Sequence, residues 1–448
     1  MIVVLGAGES GTGAALLARA KGLDVFVSER GTVADKYRER LEAAGIPFEE
    51  GGHTEARVLA ADEVVKSPGI PDTVPLVRTL DERGVPVVDE LAFAARYTRA
   101  TLIGITGSNG KTTTTLLAHH LLKSAGLNVG LAGNVGQSLA QQVIDDVHDY
   151  YVLEMSSFQL DRIGQLRPHV AVLLNISPDH LDRYDHQFEN YVAAKFRITL
   201  NQTADDFFVS YNEDPTLKEE RARRRLLPQH LPISLCEHPI QGAFLDREVM
   251  HVRFRKVDWV FPCGLLPLPG RHNQVNTGAA LLIAAILGAD EAGVRAGLDT
   301  FRGAPHRLES VGTVGGVRFV NDSKATNVDA VRYALDATAA PVVWLAGGVD
   351  KGNDYGEIRD LVRDRVRALV CIGKDDEALR RAFGNGELDI VEAADMGDAV
   401  RRAWALADGE GTVLLSPACA SFDRFRNYED RGDQFKAAVR SLREEAGV

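Results

Sequence analysis

Short apolar segments rich in β-branched residues alternate with helical stretches along almost the whole chain. Strand-like runs occupy residues 2–5, 101–105, 150–154 and 342–346, and helical patterns lie between runs of this kind. The alternation is typical of α/β domains built on mostly parallel sheets. Ligands bind such sheets beyond the carboxyl ends of the strands, so we expect the functional residues in the loops that follow them.

A glycine-rich loop follows the strand predicted at residues 101–105. Residues 106–112 read T-G-S-N-G-K-T and open a predicted helix. Glycines let backbone amides approach phosphate oxygens, a helix start favours anions, and Lys111 would neutralise the terminal phosphates. The hydroxyl of Thr112 suits Mg²⁺. The common phosphate-loop pattern requires glycine where Ile105 stands, so the match is to a shorter variant, and the alternative is a purely structural glycine turn.

Three blocks can be separated on these patterns. Residues 1–96 predict an N-terminal Rossmann-like sheet, and residues 97–302 predict a central, mostly parallel sheet of the P-loop ATPase type. Residues 303–448 predict a C-terminal Rossmann-like, doubly wound sheet. The expected fold class is therefore α/β in three domains. Within the central block, residues 274–287 predict a strongly apolar helix.

Composition and charge exclude several classes of protein. The chain has 448 residues and a net charge of −12, which argues against a nucleic-acid surface. Its four cysteines are scattered without metal-ligand spacing, a pattern that predicts free thiols in a reducing compartment. The N-terminal residues are typical of a strand rather than of a signal peptide. The sequence contains no run of about 18 apolar residues, so no membrane span is expected. A cytoplasmic enzyme without a membrane or nucleic-acid partner is expected.

A second glycine turn lies at the N-terminus. Gly6, Gly8 and Gly11 follow a strand and open a helix, and Glu29 ends the next strand at the spacing of a ribose-binding acid. By itself this pattern would indicate NAD. The same turn binds any pyrophosphate, and a dehydrogenase needs no second phosphate loop. We therefore interpret the first block as the site of a nucleotide-linked substrate and the second block as the ATP site.

Three charged residues of the central block could take part in chemistry. Glu154 ends an apolar strand near the phosphate loop and is a candidate Mg²⁺ ligand, with a surface acid as the alternative. His180 lies in a polar loop at residues 175–182 and could bind a metal, position a phosphate or do neither. Lys195 lies on a mostly apolar helix, and from the residues alone a surface lysine with a buried stem is preferred.

Three polar loops follow strands of the third block. Residues 321–327 read N-D-S-K-A-T-N, residues 347–352 read G-G-V-D-K-G, and residues 416–423 read S-P-A-C-A-S-F-D. Two of the loops carry lysine, so together they predict an anion site at one edge of the sheet. Three unrelated exposed turns are the alternative.

Taken together, these segments resemble the Mur ligase family over essentially the whole chain. The marks shared across that family are residues 106–112, Asn134, Glu154, His180, Lys195, His272-Asn273 and His306-Arg307. Residues 154–160, 321–327 and 415–421 resemble the branch of the family that adds D-glutamate, whereas sister ligases and folylpolyglutamate synthases carry other residues at these segments.

The resemblance implies a reaction. An ATP-dependent acid–amino-acid ligase would phosphorylate the free carboxylate of UDP-N-acetylmuramoyl-L-alanine, and the amine of D-glutamate would then attack the acyl phosphate. The product is a peptidoglycan precursor. The resemblance also implies ATP and Mg²⁺ at two sites, a carbamylated Lys195 and a monomeric enzyme. A carbamate is an anionic oxygen ligand, so this interpretation replaces that of a surface lysine.

The resemblance also implies residue roles. The implied ATP residues are Gly107, Ser108, Asn109, Gly110, Lys111, Thr112, Thr113, Asn273, Asn276, Arg307 and Asp322. The implied metal ligands are Thr112, Glu154, His180 and carbamylated Lys195, and the catalytic set is Lys111, Glu154, His180 and Lys195. The implied UDP-substrate residues are Ser10, Ser28, Glu29, Arg30, Gly69, Asn134, Ser156, Gln159 and His180. The implied D-glutamate residues are Asp179, Lys324, Thr326, Lys351, Ser421 and Phe422.

Two segments depart from the family branch. Residues 28–30 read Ser-Glu-Arg where Asp-Thr-Arg is common, and Tyr428 stands in place of phenylalanine. Three other functions stay open on the sequence. A sister ligase would use another amino acid or a folate, a dinucleotide-dependent oxidoreductase would bind NADH and not ATP, and a nucleotide-sensing module would bind ATP without turnover.

Overall fold

The computed structural model describes residues 1–350, 352–384, 386 and 388–446. It contains three mostly parallel β-sheets of five, nine and six strands with helices packed against them. The α/β class expected from the sequence is therefore confirmed. Within the described chain, no helix combines the length and apolar character needed to cross a lipid bilayer.

The first sheet is built from five short parallel strands. The strands are β1 (Ile2–Leu5), β2 (Val25–Ser28), β3 (Phe48–Glu49), β4 (Glu63–Lys66) and β5 (Val87–Val88). Its helices are α1 (Glu9–Ala20), α2 (Asp35–Ala43), α3 (Glu55–Val58), α4 (Pro75–Glu82) and α5 (Glu90–Ala94), followed by a 3₁₀ turn at Ala95–Tyr97. The strand order is β3-β2-β1-β4-β5. Because the order reverses on the two sides of β1, the N-terminal glycine turn lies at the switch point where α/β sheets bind ligands.

The second sheet has nine strands. These are β6 (Thr101–Thr106), β7 (Val129–Gly133), β8 (Tyr150–Glu154), β9 (Val170–Leu173), β10 (Phe207–Tyr211), β11 (Gln229–Ser234), β12 (Gly242–Asp246), β13 (Val249–Phe254) and β14 (Val257–Pro262). They run in the order β14-β13-β12-β11-β10-β9-β6-β8-β7. Only the ladders β12–β13 and β13–β14 are antiparallel. Strand β6 lies between β8 and β9, so the loops after these three strands meet at one edge.

The helices around the second sheet come from two stretches of the chain. They are α6 (Lys111–Ser124), α7 (Leu139–Gln142), α8 (Ser157–Asp161), α9 (Phe188–Phe196), α10 (Pro215–Arg223), α11 (Arg271–Ile286) and α12 (Glu291–Thr300). Short 3₁₀ turns lie at Leu181–Arg183, Arg197–Thr199 and Cys263–Leu265. An apolar core that includes Val4, Leu153 and Phe208 joins residues of the first and second sheets.

The third sheet has six strands. These are β15 (Glu309–Val314), β16 (Val317–Asn321), β17 (Val342–Ala346), β18 (Val366–Cys371), β19 (Asp389–Glu392) and β20 (Thr412–Leu415), in the order β15-β16-β20-β17-β18-β19. Its helices are α13 (Val328–Ala337), α14 (Arg359–Arg365), α15 (Glu377–Phe383), α16 (Met396–Ala407) and α17 (Tyr428–Glu445), with a 3₁₀ turn at Tyr355–Ile358. Two apolar cores fill its two faces, as a doubly wound sheet requires. Strand β20 separates β16 from β17, so the three polar loops of this block are neighbours.

The chain forms two compact units. The first comprises Met1–Leu266 and Val275–Phe301 and holds the first two sheets, and the second comprises Pro267–Gln274 and Arg302–Val448 and holds the third. The division into domains at residues 96 and 302 stays a prediction. Strands predicted at residues 2–5, 150–154 and 342–346 have the observed bounds. The predicted apolar helix at 274–287 begins three residues earlier, at Arg271.

Candidate active site

The segment between β6 and α6 forms a tight glycine loop. Gly107 and Gly110 have φ angles of +154° and +84°, which residues with a side chain rarely adopt. A Cβ atom on Gly110 would lie 2.4 Å from Oδ1 of Asn276, so the loop packs directly against α11. Helix α6 begins at Lys111, and the first amides of a helix have no acceptor within it. The loop therefore has the geometry that binds anions at helix starts.

The loop that follows β9 holds the glycine loop in place. The amide of Asn109 donates to Oδ1 of Asn175 over 2.8 Å, and Nδ2 of Asn175 donates to the carbonyl of Asn109 over 3.0 Å. The hydroxyl of Ser108 donates to the carbonyl of Ser177 and accepts from its amide, over 2.9 and 3.0 Å. The sequence did not single out Asn175 or Ser177 for this role, although both lie in the polar segment after a predicted strand.

Lys111 bends back over the loop that precedes it. Its Nζ atom donates to the carbonyls of Gly107 and Ser108 over 2.8 and 2.9 Å. The ammonium group therefore lies within the turn that the loop encloses. Thr112 and Thr113 follow in the first turn of α6 and are buried. This places the lysine and both hydroxyls at the same helix start, as the motif predicts.

Glu154 ends β8 beside the phosphate loop and is almost fully buried. One carboxylate oxygen accepts a hydrogen bond from Nδ2 of Asn134 over 2.7 Å. The other oxygen, Oε2, is buried and accepts no hydrogen bond from the residues that the structure describes. A buried carboxylate oxygen without a donor is costly, and it has the hard-donor chemistry that Mg²⁺ prefers. The expected surface-acid alternative does not apply.

Lys195 is buried on α9, with only 1% of its side chain exposed. Its Nζ atom donates to the carbonyl of Gly107 over 2.8 Å and lies 4.6 Å from the centre of the Tyr191 ring. Burial lowers the pKa of Lys195 well below its usual value, and the positive charge of Lys111 lowers it further. The interpretation as a surface lysine is therefore wrong, because the amine lies inside, at the phosphate loop.

His180 and Asp179 share the loop after β9. His180 has a φ of +52°, and the edge of its ring contacts Phe158 with 5.1 Å between ring centres. The amide of His180 donates to Oδ1 of Asp179 over 2.9 Å. Phe158 lies in α8, which opens with a capping box formed by Ser156 and Gln159. The predicted residues of α8 and of the His180 loop are thus brought together through Phe158.

The predicted metal ligands do not form a dense acidic or histidine cluster. Among the described residues there is no group of three or more histidine, cysteine, aspartate or glutamate side chains placed to hold a metal ion. Lys195 donates to the backbone of the phosphate loop, and Glu154 pairs with Ile105, the residue that precedes the loop. Thr112 lies in the helix that the loop opens.

Five of the residues predicted for the nucleotide-linked substrate lie at the carboxyl edge of the first sheet, and the other four follow strands of the second sheet. The hydroxyl of Ser28 donates to Oε1 of Glu49 over 2.6 Å and is 2.7 Å from Nδ1 of His53. Glu29 accepts the amide of Ala7 over 2.7 Å. Glu29 therefore closes the glycine turn from the neighbouring strand, a role that the ribose-acid pattern did not indicate.

The other predicted residues of that edge follow the same strands. Ser10 lies in the first turn of α1, Arg30 is exposed after β2, and Gly69 follows β4. The carbonyl of Gly69 accepts a 3.4 Å hydrogen bond from Arg183, whose guanidinium lies 4.2 Å from the centre of the Phe158 ring. The edges of the first two sheets are connected there.

In the second unit, Asp322 is buried at the end of β16. Its two oxygens accept from the amide of Leu308 over 3.2 Å and from the hydroxyl of Ser416 over 3.1 Å. Burial raises the pKa of Asp322 to about 7, against the opposing effect of the Arg307 charge. Asn273 is also buried, and its Nδ2 donates to the carbonyl of Pro269 over 2.7 Å.

Four of the residues predicted for D-glutamate lie in the loops after β16 and β20, and Asp179 lies in the loop after β9, in the first unit. Lys324 is half-buried, with Nζ 5.2 Å from the centre of the Tyr428 ring. Thr326 is half-buried in the same loop, Ser421 is buried, and Phe422 is 74% exposed. Lys351 lies outside the described residues. The loops themselves are joined by a 3.0 Å hydrogen bond from the amide of Ala418 to the carbonyl of Ala325.

Comparison with family models assigns most of the chain. Residues 1–74 match the MurD N-terminal domain, residues 105–284 match the Mur ligase middle domain, and residues 306–419 match the Mur ligase glutamate ligase domain.

Relatives match along the full length. A UDP-N-acetylmuramoylalanine--D-glutamate ligase of Bacteroides fragilis is 52% identical over 443 residues, which cover 98% of this chain and 99% of the relative. The ligase of the same name from Salinibacter ruber is 42% identical over 449 residues, with 98% and 97% of the two chains covered.

Solved structures share the fold at low sequence identity. The MurF ligase of Thermotoga maritima in complex with ADP has a TM-score of 0.60 at 18% identity, over 95% of this chain and 99% of that one. The UDP-N-acetylmuramate-alanine ligase MurC of the same organism has a TM-score of 0.61 at 19% identity, over 98% and 99% of the chains. With the family models and the full-length relatives, these observations establish that the chain belongs to the Mur ligase family.

Proposed function

We propose that the chain is an ATP-dependent ligase that joins D-glutamate to UDP-N-acetylmuramoyl-L-alanine, with ADP and phosphate as products. The observation that carries the ATP chemistry is the glycine loop at the start of α6, with Lys111 bent over it and the free oxygen of Glu154 beside it. The choice of D-glutamate rests on the full-length relatives that act on that amino acid.

A carboxylate is a poor electrophile at neutral pH because its delocalised negative charge makes the carbon electron-rich and because it has no good leaving group. Transfer of the γ-phosphoryl group to the carboxylate gives an acyl phosphate, whose leaving group is phosphate. The amine of D-glutamate then attacks the acyl carbon, and the tetrahedral intermediate expels phosphate. The loop amides and Lys111 hold the β- and γ-phosphates in line with the carboxylate, which lowers the entropic part of the barrier.

The proposed contacts with ATP come from Gly107, Ser108, Asn109, Gly110, Lys111, Thr112, Thr113, Asn273, Asn276, Arg307 and Asp322. The buried positions of Asn276 at the glycine loop and of Asp322 at a strand end support the assignment.

We propose that Glu154, Thr112, His180 and a carbamylated Lys195 would hold magnesium. The donor-free oxygen of Glu154 supplies one hard ligand. A carbamate forms when an uncharged amine attacks CO₂, and burial lowers the pKa of Lys195 well below its usual value, which favours the uncharged amine. Mg²⁺ at two positions would offset the negative charge that gathers where the carboxylate meets the γ-phosphate.

The other proposed contacts are those with the UDP-linked substrate and with D-glutamate. The UDP-linked substrate is bound by Ser10, Ser28, Glu29, Arg30, Gly69, Asn134, Ser156, Gln159 and His180. D-glutamate is bound by Asp179, Lys324, Thr326, Lys351, Ser421 and Phe422. Lysine ammonium groups suit its two carboxylates. We also propose that the enzyme works as a monomer in the cytoplasm, where ATP and UDP-linked precursors are made.

Phosphate release tests the proposal directly. Purified protein with Mg²⁺, ATP and UDP-N-acetylmuramoyl-L-alanine is given D-glutamate, L-glutamate, L-alanine, L-lysine or meso-diaminopimelate. We expect release with D-glutamate to exceed release with any other amino acid by at least tenfold. Equal rates with all five, or no nucleotide consumption, would reject the proposal.

Two variants connect that activity to the phosphate loop. Lys111→Ala is expected to lower phosphate release by at least 100-fold, because the ammonium group no longer stabilises the transferring phosphoryl group. Lys123→Ala removes an exposed lysine from the last turn of the same helix and is expected to keep wild-type activity. A Lys111→Ala variant as active as Lys123→Ala would overturn the assignment.

A further inference from the structure

Arg431 is a fully buried arginine in the first part of α17, with 0% of its side chain exposed. Its Nε donates to the hydroxyl of Ser323 over 3.0 Å, and Nη2 donates to the carbonyl of Ser323 over 2.7 Å. The third nitrogen, Nη1, donates to the carbonyl of Cys419 over 3.1 Å. One planar group therefore holds two separate loops.

Those two loops follow adjacent parallel strands. Ser323 lies just after β16, and Cys419 lies after β20, which pairs with it. Ser323 also donates to the carbonyl of Tyr428 over 2.8 Å, so the same contacts tie both loops to the start of α17. Ala418, next to Cys419, has a φ of +62°. A residue with a side chain is strained there, and the strain persists because the surrounding contacts determine the turn.

The partners of Arg431 are neutral groups. Among the described residues it forms no ion pair, and the carboxylate of Asp423 acts on it from beyond ion-pair distance. Burial lowers the pKa of Arg431 to about 10, which leaves the guanidinium charged at neutral pH. A buried charge held by neutral carbonyls is costly unless an anion lies near it.

We infer that Arg431 is a positioning residue for the amino-acid substrate: it sets the geometry of the loops that carry Lys324 and Ser421. The inference rests on the proposed D-glutamate site. Lys324 is the residue after Ser323, and Ser421 is two residues after Cys419, so small movements of either loop displace a proposed ligand group.

Two substitutions separate charge from geometry. Arg431→Lys keeps a positive charge but loses the planar fork that reaches both loops. Arg431→Gln loses the charge as well. We expect the KM for D-glutamate to rise at least tenfold in Arg431→Lys and further in Arg431→Gln. The KM for UDP-N-acetylmuramoyl-L-alanine should stay within about twofold, because neither loop carries a residue proposed for that substrate. The KM for ATP should rise less than the KM for D-glutamate, because the proposed ATP contact Asp322 is held by Leu308 and Ser416 and not by Arg431.

Controls make the outcome decisive. Arg440→Gln changes an exposed arginine of the same helix and should leave all three KM values unchanged. Should Arg431→Gln not fold, as judged by circular dichroism, Ser323→Ala removes one acceptor of Arg431 and should raise the KM for D-glutamate about threefold or more. An equal rise of all three KM values, or none, in folded variants overturns the inference. A wild-type enzyme that does not use D-glutamate would instead reject the proposed function.

Discussion

At the scale of single residues, buried charged side chains near the phosphate loop give the main support for a catalytic role. Lys195 and Glu154 are each about 1% exposed and contact the phosphate loop or its neighbouring strand. Glu90 is equally buried but lies elsewhere, in α5. Glu90 accepts two hydrogen bonds, whereas Glu154 keeps an oxygen to which no described residue donates, so the buried pair beside the loop supports a catalytic role.

Lys195→Ala tests the carbamate at this scale. Removing the side chain should lower activity by at least 100-fold, and added formate or acetate should restore part of it by placing a carboxylate where the carbamate would lie. Phosphate release measured against acid concentration gives the result. Lys218→Ala, an exposed lysine, should neither lose activity nor respond to the acids. A folded Lys195→Ala enzyme that no short acid activates would contradict the carbamate.

Glu90 predicts a pH dependence of stability. It accepts from the hydroxyl of Ser138 over 2.8 Å and from the amide of Ala140 over 2.6 Å, and burial raises its pKa from 4.5 to about 7. Between these values the folded state holds a proton that the unfolded state has lost. Wild-type stability therefore falls as the pH rises through this window.

The substitution Glu90→Gln replaces the carboxyl group with an amide that does not titrate, so it removes this pH dependence. The free energy of unfolding of the variant minus that of the wild type should rise by about 3 kcal/mol from pH 4.5 to 7, at about 1.4 kcal/mol per pKa unit. Urea unfolding at several pH values measures this difference. Glu189→Gln, at an exposed glutamate of α9, should show a nearly constant difference. A flat profile for Glu90→Gln would contradict the prediction.

At the scale of elements, the strand ends carry the functional groups, and glycines allow them to come close. Gly133 ends β7 with a φ of +99°, and a Cβ atom there would lie 2.2 Å from the backbone oxygen of Glu154. Asn134 follows it and donates to the Glu154 carboxylate. The approach of β7 to β8 therefore places both side chains.

Gly133→Ala should destabilise the protein by about 3 kcal/mol or more, through a left-handed backbone and a clash with main-chain atoms, and should abolish most activity. Gly126→Ala is the matched control, because Gly126 also has a positive φ of +81° but nothing lies within 4 Å of its added Cβ. The control should lose only about 1 kcal/mol. Thermal unfolding and phosphate release measure both effects. Equal losses in the two variants would show that the close contact is unimportant.

The bounds of strands are the structural feature that the sequence predicts best. The strand at residues 2–5 and the strand at residues 150–154 have the predicted bounds because each is a continuous apolar run closed by a polar or glycine residue. The predicted start of helix α11, at residue 274, lies three residues after the observed start at Arg271, because Arg271 and His272 are not apolar. Helix starts depend on backbone hydrogen bonding, which apolar periodicity does not report.

At the scale of the whole molecule, two compact units with separate apolar cores predict unfolding that is not two-state. Differential scanning calorimetry should resolve at least two transitions. A non-hydrolysable ATP analogue with Mg²⁺ should raise the transition of the first unit, which holds the phosphate loop. At 100 times Kd the stabilisation is about 2.7 kcal/mol.

Two variants show which calorimetric transition belongs to which compact unit. Gly126→Ala should lower only the transition of the first unit, and Arg431→Lys only that of the second. A single transition that every variant and the nucleotide shift together would show that the two units unfold as one.

The sequence by itself determined the α/β class, the phosphate loop and the polar loops at strand ends, because these depend on local chemistry: apolar runs form strands, and glycines allow positive φ angles and close backbone approach. Only the tertiary structure decided that Lys195 is buried at Gly107, that Glu29 closes the first glycine turn and that Arg431 holds two loops. Burial and pairing depend on partners many residues away in the chain. A lysine on an apolar helix has the same local pattern whether its amine reaches water or a carbonyl in the interior.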